Sequence, residues 1–140
     1  MSKTAVVYWS GTGNTEAMAR LVLKGAQSAG ASAELFTAAD FDAAKAANFD
    51  AIAFGCPAMG SEELEDSEFA PMFDAVKASL GGKKVALFGS YGWGGGDWMN
   101  AWEEDCAASG IRLACDSVIC SDAPDDEAEA ACKALGAALA

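Results

Sequence analysis

A doubly wound α/β fold, with a five-stranded parallel sheet in the order 2-1-3-4-5 and helices on both faces, is the architecture that this sequence predicts. Three observations lead to it. The chain has 140 residues, enough to enclose one core and too few for two, so residues 1–140 are expected to form a single domain. Short apolar runs alternate with segments of helical periodicity, the pattern of parallel strands covered on both faces. A loop rich in Gly and hydroxyl groups, SGTGNT at 10–15, directly follows the first run, and right-handed crossovers then favour this strand order.

TAVVYW (4–9) reads as a strand buried on both faces, because Val and aromatic residues run without alternation and stop abruptly at Ser10. A helix follows: Thr15 and Glu16 suit its first turn, Met18, Leu21, Val22 and Gly25 recur along one face, and Gly30 marks its end. The alternation continues as AELFT (33–37), a short helical turn around 42–48, AIAFG (51–55), a helix near 68–79 and KVALFGS (84–90). It finishes with a helix near 97–109, RLACDSVIC (112–120) as the fifth strand, and a last helix from about 125. Trp98 and Trp102, four apart, are expected to pack from one helix face.

Hydrophobic residues make up 52% of the chain and charged residues 21%, as in a globular protein, so the net charge of −12 lies on a folded surface. Such a surface repels nucleic acid and anionic lipid and favours cationic faces on protein partners. Cys56, Cys106, Cys115, Cys120 and Cys132 form no CxxC pair, and the chain has no His, so reduced thiols and no metal site are expected. Cys56, Cys115 and Cys120 are expected as buried strand or strand-end thiols. The apolar run Ala5 to Trp9 is too short for a signal peptide or a membrane span, and a cytoplasmic location follows as an expectation.

Three loops leave the carboxyl ends of predicted strands: SGTGNT (10–15), CPAMGSEELEDSEF (56–69) and SYGWGGGDW (90–98). In an open sheet of this kind a ligand lies outside those ends, so the loops are expected to share one site. The first is not a P-loop, for which the Lys is missing, nor a dinucleotide fingerprint, for which the third Gly is missing and Phe36 and Thr37 stand where an acid is needed. It also lacks the acids of a phosphate-receiver pocket. What remains is a neutral cradle, in which Ser10, Thr12, Asn14 and Thr15 and the N–H groups of a helix N-terminus hold a phosphate dianion; the plainer alternative is a Gly-rich connector. Trp93, flanked by glycines, serves either as a plate on which a flat ring stacks or as a lid over the core. Trp9 either shields the first loop or packs into the core. Gly60 either lets the peptide joining it to Met59 turn over at little steric cost or marks an ordinary turn. Glu62, Glu63, Glu65, Asp66 and Glu68 read first as a solvated rim.

These motifs, VVYWSGTGNTEAMA at 6–19, CPAMGSEELEDSEF at 56–69 and KKVALFGSYGWG at 83–94, resemble those of short-chain flavodoxins of the clostridial type, and the element order fits over the whole chain. The insertion that splits the fifth strand in long-chain relatives has no counterpart between Arg112 and Asp122. The resemblance implies non-covalently bound FMN. It implies that Ser10, Gly11, Thr12, Gly13, Asn14 and Thr15 wrap the phosphate, that Met59, Gly60, Ser61 and Glu62 meet the inner side and N5 edge of the ring, with Glu62 near N3, and that Pro57 and Ala58 also belong to the cofactor site. Trp93 would cover its outer face, Tyr91 and Gly92 would offer backbone groups to its pyrimidine end, and Ser90 would also belong to the cofactor site. Two positions depart from the pattern: Pro57 stands where many relatives have Ser, removing a hydroxyl and an N–H, and Ser61 replaces a common Asp.

The function implied is a monomeric, low-potential one-electron carrier, not an enzyme, cycling between neutral semiquinone and anionic hydroquinone in place of ferredoxin. Its partners would be oxidoreductases, hydrogenases or reductases with basic docking faces, with no nucleic acid and no membrane. The alternative is an NAD(P)H-dependent flavin or quinone reductase on the same fold, against which stands the lack of a spare cationic pocket. A colourless phosphate-binding module is the second alternative.

Overall fold

The computed structural model describes residues 3–59, 63–92 and 96–140. Five strands, β1 (Lys3–Tyr8), β2 (Ser32–Thr37), β3 (Ala51–Gly55), β4 (Lys84–Tyr91) and β5 (Val118–Ser121), form one sheet in the order β2-β1-β3-β4-β5. Every pairing is parallel. Between them lie α1 (Asn14–Ser28), α2 (Ala43–Ala46), α3 (Phe69–Val76), α4 (Asp97–Ala108) and α5 (Asp126–Ala138).

The unbroken apolar runs are explained by the two layers they feed. Along β1, Ala5 and Val7 join a cluster with Phe54, Phe69, Phe73, Trp98 and Trp102 under α3 and α4. Val6 and Tyr8 point the other way, to Met18, Val22, Cys132 and Leu135 from α1 and α5. Successive strand side chains alternate faces, so a strand covered on both sides must be apolar throughout. Trp98 and Trp102 share one helix face as expected, being 1% and 2% exposed. Phe69 and Phe73 meet Trp102 edge-on, with ring centroids 5.4 and 5.6 Å away. On the opposite layer α1 and α5 cross at Gly25 and Gly136: a methyl at Gly25 would overlap the Lys133 carbonyl, and one at Gly136 the Val22 carbonyl.

The fifth strand corrects the sequence reading. Only Val118–Ser121 pairs as a strand, not 112–120. Leu113 stands opposite Val85 and Val118 opposite Phe88, so five steps of chain on this edge match three on β4 and the surplus bulges out of the ladder. Asp116 and Ser117 fall in the bulge, where Asp is poorly suited to a strand and the Ser117 hydroxyl donates to Glu103 at 2.6 Å.

Candidate functional site

The carboxyl ends of β1, β3 and β4 bring parts of all three loops around one cavity of about 240 Å³. Gly11, Thr12 and Asn14 line it from the first loop, Pro57, Ala58 and Met59 from the second, and Ser90, Tyr91 and Gly92 from the third. A larger groove of about 510 Å³ along β5 and α5 touches none of the predicted first- or second-loop residues.

The first loop is shaped to leave donors free. Gly13 adopts φ 95°, a left-handed conformation that favours Gly, and no side chain caps α1 there. The first-turn N–H groups therefore lack both an intrahelical partner and a capping side chain, and the helix dipole favours an anion in front of them. The Gly13 N–H itself donates to Ser10 Oγ at 3.0 Å. Thr15 is buried, and its hydroxyl oxygen accepts from the Ser90 N–H at 3.4 Å, tying this loop to β4 while its own hydrogen remains available to donate. Trp9 satisfies both readings made of it, since it packs on the core and lines the cavity. Its Nε1–H donates to Glu68 at 3.2 Å.

The second loop closes on itself. Ala58 N–H donates to the Ser90 carbonyl at 3.1 Å, and Met59 and Glu63 form an antiparallel pair in which each N–H donates to the other's carbonyl, at 2.9 and 3.0 Å. The Met59 carbonyl is thus held by the Glu63 N–H. Gly60, Ser61, Glu62 and Trp93 lie outside the described residues.

In the third loop the Ser90 hydroxyl donates to the Asp122 carbonyl at 2.7 Å, and the Tyr91 carbonyl accepts from the Asp122 N–H at 2.8 Å. Asp122 also lines the cavity and has φ 57°, the one positive value outside Gly among the described residues. The sequence reading missed it; the only signal was an Asp, a residue that tolerates this conformation, just past a strand end.

Glu65 was missed as well, and it corrects the reading of the acidic run. It is 5% exposed, not part of a solvated rim. Burial pushes its carboxyl up, but the Ser67 hydroxyl and the N–H groups of Phe69, Glu68 and Ser67 more than offset this and hold it at about 2. The thiols behave differently. Burial pushes Cys56 and Cys132 up to about 12 and Cys106 to about 11, so these thiols stay protonated. Cys115 and Cys120 prove half-buried, not buried as expected. Among the described residues, no group of three or more His, Cys, Asp or Glu is placed to hold a metal ion. No described helix is long and apolar enough to cross a membrane.

The donor set suits a phosphate ester bearing a flat ring: hydroxyls and unpaired N–H groups at one end of the cavity, apolar Trp9, Ala58 and Met59 beside it. Comparison with known proteins agrees. A family model described as Flavodoxin matches residues 6–135. The chain is 47% identical over 135 residues to a flavodoxin of Megasphaera elsdenii, covering 96% of each chain. It is 44% identical over 135 residues to a flavodoxin of Clostridium beijerinckii, covering 96% of this chain and 97% of that one. The solution structure of two-electron reduced Megasphaera elsdenii flavodoxin superimposes with a TM-score of 0.89 over 97% of each chain.

Proposed function

The chain belongs to the flavodoxin family, electron carriers that bind FMN, and from that premise we propose that this protein moves electrons singly between neutral semiquinone and anionic hydroquinone of non-covalently held FMN. The observation that carries the reading is the single cavity shared by three strand-end loops, with an uncapped helix N-terminus at one end. When bound, FMN supplies the one-electron chemistry; the chain binds it, orients it and excludes water.

In this reading Ser10, Thr12, Asn14 and Thr15, with the N–H groups around Gly11 and Gly13, hold the phosphate without a cation. Pro57 contributes shape and no donor. Met59 would support the inner face of the ring, Gly60, Ser61 and Glu62 would meet its N5 and N3 edge, Trp93 would cover its outer face, and Tyr91 and Gly92 would offer backbone groups to its pyrimidine end, with Ser90 also in the site. If the Met59–Gly60 peptide turned over to offer its carbonyl to the ring, it would give up the bond from the Glu63 N–H, a loss of about 0.5–1.5 kcal/mol that would offset the similar gain of the new bond. Charge then has to separate the two couples. Each carboxylate about 10 Å from an anionic ring adds roughly 0.4 kcal/mol to its energy in a watery dielectric. The same acidic surface orients the flavin edge toward basic faces of partner oxidoreductases, hydrogenases or reductases, where ferredoxin would otherwise serve.

Stepwise anaerobic reduction with dithionite tests the reading. A yellow protein passing through a long-wavelength blue radical is the expected outcome. Bleaching without a radical, or many turnovers per second with NADPH, would make it a reductase, and absence of colour after FMN addition would remove the flavin.

A further inference from the structure

Glu65 is the one buried acid among the described members of the run, and its surroundings go beyond those of an ordinary helix cap. Oε1 accepts from the N–H groups of Glu68 and Phe69 at 2.8 and 2.9 Å, and Oε2 from the Ser67 N–H at 2.8 Å and from the Ser67 hydroxyl. Its main chain is tied in too: the N–H donates to Cys56 Sγ at 3.3 Å and the carbonyl accepts from the Ala70 N–H at 2.9 Å. Cys56 is itself fixed, its N–H donating to the Phe88 carbonyl at 3.2 Å and its carbonyl accepting from Trp98 Nε1 at 3.1 Å.

Burying an ion costs several kcal/mol unless its partners compensate, and capping α3 alone needs only a small exposed polar residue at its first turn. Position 68, the cap itself, makes no side-chain bond to the helix. The four donors instead fasten the chain just after Glu63, whose partner Met59 lines the cavity. Two residues before Glu65, Glu63 forms the neck with Met59, and on the other side Ala58 is pinned to Ser90. Both arms of the Met59–Glu63 pair are therefore held, one by β4 through Ala58 and the other by Glu65.

We propose that Glu65 is a positioning residue for the flavin, its carboxylate locking residues 65–69 so that the Met59–Glu63 pair is held at a fixed height against the cavity that Met59 lines. The inference rests on the FMN reading and adds a residue that does not touch the cofactor. An ionised carboxylate is required because no other side chain of this length accepts four hydrogen bonds.

Glu65→Gln preserves shape, but either orientation of the amide sets its NH2 group against donors. In the full-length protein with FMN the measurements are the FMN dissociation constant by flavin fluorescence, both one-electron potentials, and thermal unfolding of the apoprotein. Loss of bonds to a charged acceptor should weaken FMN binding about tenfold. The oxidised/one-electron couple should fall, by about 59 mV for each tenfold loss of preference for the one-electron state, and the radical fraction at half reduction should drop with it. Ser67→Ala, which removes one donor, should shift the same quantities less and in the same direction; it decides the matter if Glu65→Gln does not fold. Unchanged affinity and potentials beside a lower apoprotein Tm would overturn the proposal and leave Glu65 as a cap of α3. Failure of the wild-type protein to take up FMN would instead overturn the flavin reading on which the proposal stands.

Discussion

At the scale of single residues, what matters is how each group at the site is satisfied. Gly13 has no atom within 4 Å of a would-be Cβ, so Gly13→Ala meets no clash and suffers only from φ 95°. It should lose roughly 1 kcal/mol of stability in urea titration and bind FMN more weakly, because relaxing the backbone turns the first-turn N–H groups aside. Thr15→Val removes the acceptor for the Ser90 N–H, leaving a buried donor unpaired at a cost of about 1–3 kcal/mol, and should weaken FMN binding as well. Glu65 sets an acid limit. Its carboxyl lies at about 2 in the folded protein against an ordinary 4.5, so the stabilisation it gives is complete above pH 4.5 and is lost as pH falls toward 2. Urea midpoints measured over that range should fall in the wild type and stay flatter in Glu65→Gln. The Gly and hydroxyl content of 10–15 was legible in the sequence, because loop chemistry of that kind is local. Glu65 and Asp122 were not: nothing in ELEDSEF separates the buried carboxylate from its exposed neighbours, and nothing before Asp122 announces its conformation.

Among the elements, legibility tracks how completely an element is covered. β3 and β4 were readable nearly to the residue because both faces are packed and the apolar run is the signal. At the sheet edge β5 has a neighbour on one side only, and its exposure alternates, so the pattern over 112–120 carried no mark of where the ladder breaks. The crossing of α1 and α5 gives the sharpest test at this scale. Gly25→Ala drives a methyl into the Lys133 carbonyl, which can move only with its helix, and should destabilise by about 1–3 kcal/mol or more in urea unfolding. The flavin spectrum of whatever folds should match the wild type, since neither glycine lies in a cavity-lining loop.

For the molecule as a whole the governing quantity is charge: −12 on 140 residues. Reduction of a basic c-type cytochrome by the dithionite-reduced protein should be fast at low ionic strength and slow several-fold as salt shortens the screening length from about 30 Å at 0.01 M to 10 Å at 0.1 M and below. A rate independent of salt would mean that the acidic surface plays no part in docking.

The sequence by itself determined the order of elements, the covered faces of the sheet, the loops that meet at its carboxyl end and the sign of the surface, because periodicity, turn chemistry and net charge are properties of neighbouring residues. Tertiary structure decided the rest: that Thr15 supports Ser90 across 75 positions, that Asp122 closes on Ser90 and Tyr91, that the Met59 carbonyl is held by Glu63, and that one acid of the run is buried under four donors. The Met59–Glu63 pairing and the donors to Glu65 are local in the chain, and what decided them was burial; the other contacts depend on distant elements being packed together. A carboxylate and a hydroxyl look the same in a sequence whether water or protein surrounds them.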